Sequence, residues 1–189
     1  MEPRAKQGRR KGLRGWSVAI AGLMLASGAL ALATSEYQLK AVFLFNFAQF
    51  VEWPDAAFEA PESPLHVCVL GEDPFGTELD TVMQGESIQG RPIVVQRHAE
   101  VEQARGCHVL FVNSASNEEQ HAVLESLKGE SVLTVGETDD FASAGGVIRF
   151  FMEGNRVRLE VNPDAAEEAR LRLSSKLLRS SQILAKRGG

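Results

Sequence analysis

Cysteine is scarce in this chain, and what is missing around it narrows the chemistry. Cys68 and Cys107 are the only two in 189 residues. They form no C-x-x-C pair, so thiol–disulfide catalysis is not indicated. Histidine is equally thin. His66, His98, His108 and His121 are scattered, with no H-E-x-x-H and no tight pair. His108 stands beside Cys107, but two ligands do not make a metal site, and no metal is expected. G-x-S-x-G is absent. Gly71 and Gly76 have the spacing of a phosphate-binding loop, yet no Lys-Ser or Lys-Thr follows. Without a visible nucleophile–base pair, an enzyme is not indicated and no cofactor is expected.

Positive charge is also lacking once the first residues are set apart. Arg4, Lys6, Arg9, Arg10, Lys11 and Arg14 crowd the start against one acid, Glu2. Trp16 to Ala33 is uncharged and rich in Ala, Leu, Gly and Val, ending in Ala31-Leu32-Ala33. Basic region, apolar run and small-x-small site together read as a secretory signal peptide over residues 1–33. The competing reading is an uncleaved N-terminal anchor, since the apolar run approaches spanning length. Removing 33 residues takes Lys plus Arg from 20 to 14 and Asp plus Glu from 25 to 24, a net charge of about −10. So acidic a surface disfavours nucleic acid and anionic lipid. Export to the periplasm changes the meaning of the cysteines too. An even pair in an oxidising compartment suggests a disulfide; the alternative is two buried thiols acting as small apolar residues.

What is abundant is aromatic and apolar side chain in one stretch, Glu36 to Pro54. At helical spacing, Leu39, Val42, Phe43, Phe47, Phe50 and Val51 share a broad face, with Lys40, Gln49 and Glu52 toward solvent. Ser35 is a candidate cap, and Pro54 stops the pattern. Such a helix needs a wide apolar partner. Short strands supply it over 65–70, 93–97, 107–113 and 132–135. Asp73-Pro74 reads as a helix start running to about Gln84. Ser114 to Asn117 caps a second helix that Gly129 ends. Residues 147–153 and 156–161 form a hairpin around the turn Gly154-Asn155. Asn162-Pro163-Asp164 opens a last helix carrying Leu171, Leu173, Leu177, Leu178 and Ile183 inward, followed by a basic tail from Ala185.

The expected fold is therefore α/β: a three-layer sandwich with a mixed, mainly parallel sheet, a C-terminal antiparallel hairpin and helices on both faces. One domain, 34–189, is expected after the leader. Ligands of open α/β sheets bind beyond the carboxyl ends of the strands. Here those ends carry Glu72, Asp73, Asn113, Ser114 and Glu137, an acidic crevice suited to an amine or cation, though such residues also belong at ordinary turns. The hairpin offers a second surface, with Phe, Arg and Glu alternating along it, equally readable as an edge protected by charge.

Several ordered segments resemble one family. YQLKAVFLFNFAQFVEWP at the front, LHVCVLGEDPFG, GRPIVV and CHVLFVN in the middle, and GGVIRFFMEGNRVRLEVNPDAAEEARLRLSSKLL at the end are similar to the YfiR/HmsC-like family. The resemblance implies an exported, non-enzymatic protein that binds the periplasmic domain of an inner-membrane diguanylate cyclase. It would thereby restrain cyclic-di-GMP synthesis, biofilm and exopolysaccharide. It implies that an OmpA-like outer-membrane lipoprotein sequesters the repressor, that Cys68 and Cys107 can be bridged, and that the partner surface includes Phe151, Arg158, Glu160 and Asn162. A homodimer is a further candidate assembly. The second cysteine pair seen near the hairpin in the family is missing: Ala142 and Arg149 stand there instead, which puts redox control through that pair in doubt. The rival reading is a small-molecule sensor using the acidic crevice and feeding another membrane receptor such as a sensor kinase.

Overall fold

The computed structural model describes residues 36–184. The expected leader, the candidate cap Ser35 and the basic tail lie outside the described residues. Strands β2 (Leu65–Gly71), β4 (Arg91–His98), β5 (Val109–Asn113) and β6 (Leu133–Gly136) form the parallel centre of the sheet. The three inner strands, β2, β5 and β6, are apolar at nearly consecutive positions, the pattern of strands covered on both faces. Strand β7 (Ile148–Glu153) continues the parallel run beside β6, and β8 (Arg156–Val161) folds back on it through Gly154-Asn155. Gly154 has φ 60°, as a two-residue Gly-x turn requires. With β3 (Ser87–Ile88) and β10 (Gln182–Ile183), the order is β10-β8-β7-β6-β5-β2-β4-β3.

Period-two alternation sends side chains to two cores. On one face Val67, Val69, Val109, Phe111, Val135, Ile148, Phe150 and Leu159 meet helix α1 (36–50) and Phe75, together with α2 (Thr77–Met83), α4 (Pro163–Glu168) and α5 (Ser175–Arg179). On the other, Cys68, Leu70, Leu110 and Val112 meet α3 (Asn117–Ser126), the 3-10 turn Val101–Gly106 and Phe141. The expected three-layer sandwich is thus present. Phe43, Phe47 and Phe150 pack together at centroid separations of 5.7–6.2 Å, with Phe47 stacked on both of the others, locking α1 to the sheet. Phe141 is fully buried between Gly136 and Gly146, where a Cβ on either glycine would overlap its ring.

Four local expectations are corrected. The buried face of α1 is Lys40, Ala41, Leu44, Phe47 and Ala48, with Val51 buried just beyond it in the first strand, whereas Leu39 and Val42 are 45% and 39% exposed. A buried ion pair pulls Lys40 inward and rotates the helix. Helix α2 starts at Thr77, not at Asp73-Pro74: the Asp73 carboxylate does accept the Phe75 N–H as a cap would, but Gly76, at φ 54°, leaves the helical conformation and restarts the helix one residue later. The loop after Gly85 contains a small hairpin, β3–β4, turned by Gln89 and Gly90 at φ 52° and 81°. The last helix is broken. Arg170 takes φ 58° and the Leu171 N–H bonds the Ala166 carbonyl, which ends α4 as glycine commonly does. Strand β9 (Arg172–Leu173) then pairs with β1 (Val51–Glu52), Ser174 caps α5, and Ile183 is exposed.

Candidate functional site

Alternation along the hairpin places Arg149, Phe151, Glu153, Arg156, Arg158 and Glu160 on the face away from α1. Register opposes Arg149 to Glu160, Phe151 to Arg158 and Glu153 to Arg156. Arg149 Nε donates to Glu160 Oε2 at 2.9 Å and its Nη1 to Asp139 Oδ1 at 2.7 Å, while its guanidinium lies 4.9 Å from the Phe151 ring centroid. Arg158 Nε donates to Glu153 Oε2 at 2.8 Å. The result is a partly exposed aromatic ring framed by three ion pairs, an apolar anchor with the polar rim that protein interfaces favour. Cross-strand charge pairs contribute only a few tenths of a kcal/mol each, roughly 0.2–1. They fix orientation more than stability.

Of the hairpin residues expected to meet a partner, Phe151, Arg158 and Glu160 share this face. Asn162 does not. It caps α4, accepting the Ala165 N–H and donating Nδ2 to the Ala142 carbonyl at 2.7 Å. Arg149, which organises the face, was named in the sequence only as a missing cysteine. Counting back from the Gly154-Asn155 turn puts it opposite Glu160, and that register was the available signal.

The crevice residues are held by the protein itself. Asn113 Nδ2 donates to the Glu72 carbonyl at 2.8 Å, and Gly71 lies against the Asn113 backbone too closely for a Cβ. Asp73 and Asp80 both take Arg97, which also bonds the Gly76 carbonyl and fastens β4 to the start of α2. The Arg97 hydrogen bond holds the Asp80 carboxyl below the usual carboxylate range. Ser114 is half-buried beside Asn113. Glu137, just past β6, faces α1. Its Oε1 lies 2.6 Å from Lys40 Nζ, off the line of a hydrogen bond, and its Oε2 accepts from the Tyr37 hydroxyl at 3.2 Å. Lys40 also pairs with Glu36 and sits 4.5 Å over the Tyr37 ring. Burial and then the Glu137 charge push the Tyr37 hydroxyl above its ordinary value, so it remains a donor.

Two histidine settings differ. His108 is buried in a stack: Phe58 lies 4.3 Å from it and His66 5.8 Å, with Arg91 over the far face of Phe58. Its Nδ1 accepts the His66 N–H at 3.1 Å, which leaves Nε2–H to donate to the Ala57 carbonyl. Burial above all, then the His66 and Arg91 charges, pushes it down to about 4. His98 is half-buried, lowered by burial and by His66, and lies 3.2 Å from Gln96 Oε1. It stands near the cysteines. Cys68 and Cys107 are bridged, with Cα atoms 6.0 Å apart, which decides between the two readings of the pair. A cleft of about 370 Å³ between α3 and α4 involves Asn162, and one of about 190 Å³ lies near Cys107.

An α/β domain with one bridged cysteine pair and an antiparallel hairpin presenting a charged aromatic face is the class these features define. The chain belongs to the YfiR/HmsC-like family, whose profile matches residues 37–182. Members of that family are in general periplasmic regulatory proteins that act through protein–protein contact. No helix among the described residues is long and apolar enough to cross a membrane. A search of curated proteins finds no match. Two solved structures are similar at low identity. An ABC domain in complex with L-Trp from Streptococcus pneumoniae gives a TM-score of 0.45 at 8% identity, covering 64% of this chain and 55% of that one. A conserved domain protein from Vibrio cholerae gives 0.46 at 9%, covering 62% and 54%. The chain spans about half the length of each, and neither likeness bears on function.

Proposed function

We propose that this protein is exported by its N-terminal leader and represses an inner-membrane diguanylate cyclase by binding the enzyme's periplasmic domain. The outer face of the β7–β8 hairpin is the contact. The observation that carries this reading is Phe151, partly exposed and held in place by Arg149, with Arg158 beside it. An aromatic side chain fixed before binding loses little conformational freedom on contact, which favours affinity. An OmpA-like outer-membrane lipoprotein that sequesters the repressor fits the same scheme.

The test is cellular cyclic-di-GMP in a strain lacking the gene, complemented in three ways: with the full chain, with the chain lacking residues 1–33, and with Phe151→Ala/Arg158→Ala. Deletion is expected to raise the level, and only the full chain to restore it. The double variant should keep its melting temperature within a few degrees. Reversing Glu160 is a poorer probe, because that carboxylate also holds Arg149. An unchanged level on deletion would sink the repressor reading. Ligand-dependent melting would then test the sensor alternative at Glu72, Asp73, Asn113, Ser114 and Glu137.

A further inference from the structure

We propose that reducing the Cys68–Cys107 bridge uncovers a metal site, in which both thiolates and His98 bind a soft d10 cation, zinc(II) or copper(I). Among the described residues, one ligand atom from each of Cys68, His98 and Cys107 lies within 4.8 Å of the other two. The sequence sets His108 beside Cys107, but the fold commits that ring to Ala57 and His66. It is His98, two positions beyond the strand partner of Cys68, that reaches the pair. Three such ligands with one position left open is a recurring zinc arrangement, and thiolates with imidazole are the donors soft cations prefer.

The geometry needs little adjustment. Separated thiolates on a tetrahedral zinc stand about 3.8 Å apart, given Zn–S bonds of about 2.3 Å. Breaking the bridge lets the sulfurs part toward that spacing, with the third ligand atom already within 4.8 Å of both. Gln96 supplies the orienting group that metal-bound histidines usually have. Its Oε1 lies 3.2 Å from His98 Nε2 and 3.8 Å from Cys68 Sγ. His98 and Gln96 are only half-buried, while both cysteines are buried, so the cation would enter from the β4 side.

The chemistry balances with a dithiol as reductant. Its two electrons cleave the S–S bond, its two protons go to Cys68 and Cys107, and it leaves as its own disulfide. Binding the cation then releases both thiol protons to solvent. The oxidised domain would be blind to the metal, and the reduced one competent for it.

The test uses the exported protein, reduced and freed of reductant under anaerobic conditions, with cobalt(II) as the spectroscopic probe and zinc(II) as competitor. Reduced wild type is expected to show a thiolate-to-cobalt charge-transfer band saturating at one equivalent and bleached by zinc. The oxidised protein should show none. His98→Ala should weaken zinc binding by at least about tenfold. Cys68→Ser/Cys107→Ser should abolish the band while far-ultraviolet circular dichroism remains native. Three results would overturn the proposal: no band in a reduced protein of native dichroism, zinc affinity unchanged in His98→Ala, or loss of native dichroism on reduction itself.

Discussion

Lys40 on α1 reaches Glu137 at the end of β6, Nζ to Oε1 at 2.6 Å, and this pair sets the rotation of the aromatic helix. Lys40 is 3% exposed, whereas the Glu137 side chain keeps 29%. Glu137→Gln would leave an ammonium buried with Glu36 as its remaining carboxylate. The expected loss lies between the roughly 0–1 kcal/mol of exposed pairs and the roughly 3–5 of fully buried ones. Urea titration of the single variant and of Lys40→Met/Glu137→Gln checks this. The double variant should recover part of the loss, because no unpaired charge remains inside.

His108 makes stability depend on pH. Its folded value, about 4, lies below its ordinary 6.5, so the unfolded chain binds the extra proton first. Its stabilising effect is fully present above pH 6.5 and is lost as pH falls toward 4. Screened by the solvent that still reaches the ring, the loss is on the order of 1–3 kcal/mol. Urea midpoints at pH 7 and 5 should differ in the wild type. His108→Gln should lower stability at pH 7 and shrink that difference; an undiminished difference would assign it to other groups.

Phe141 fills the space between Gly136 and Gly146. Gly136→Ala and Gly146→Ala should each cost about 1–3 kcal/mol by overpacking. Combined with Phe141→Leu, either should cost less than the sum of the two single changes, since the smaller side chain makes room. Additive losses would show that the glycines matter for another reason.

Removing the bridge should also be measurable without any metal. Cys68 and Cys107 are 39 residues apart, and closing such a loop is worth up to about 4 kcal/mol in the chain-entropy model. Cys68→Ala/Cys107→Ala is expected to lower the thermal midpoint substantially while leaving the sheet intact. Calorimetry of oxidised wild type against the double variant reads it directly.

The sheet was legible because its strands are short, apolar and bounded by turn residues, and Gly154-Asn155 marks its hairpin without ambiguity. The face of α1 was not. Counting Lys40 as polar sends it outward, and only Glu137, 97 positions away, explains why it goes in. The break in the last helix was hidden for a similar reason. Leu173 continues the helical stripe in sequence, but in the fold it pairs with Val51, and the residue that ends α4 in a left-handed conformation is Arg170 rather than a glycine. The hairpin face was half legible: Phe151, Arg158 and Glu160 follow from alternation, whereas Asn162 obeys the helix it starts. Proximity of His98 to the cysteines required the register of β2 on β4, which no local pattern encodes.

The pairing of Val51 with Leu173 bears on how the chain comes to be folded at all. The segment leaving α1 finds its partner strand only near the far end of the domain. A polypeptide delivered amino end first would hold out its aromatic helix unfinished until nearly everything else had arrived. Long-range closure of this kind is slow, and exposed apolar surface in the interval invites aggregation. For such a chain the hazardous interval is the one before that closure, when a holding chaperone would protect its yield.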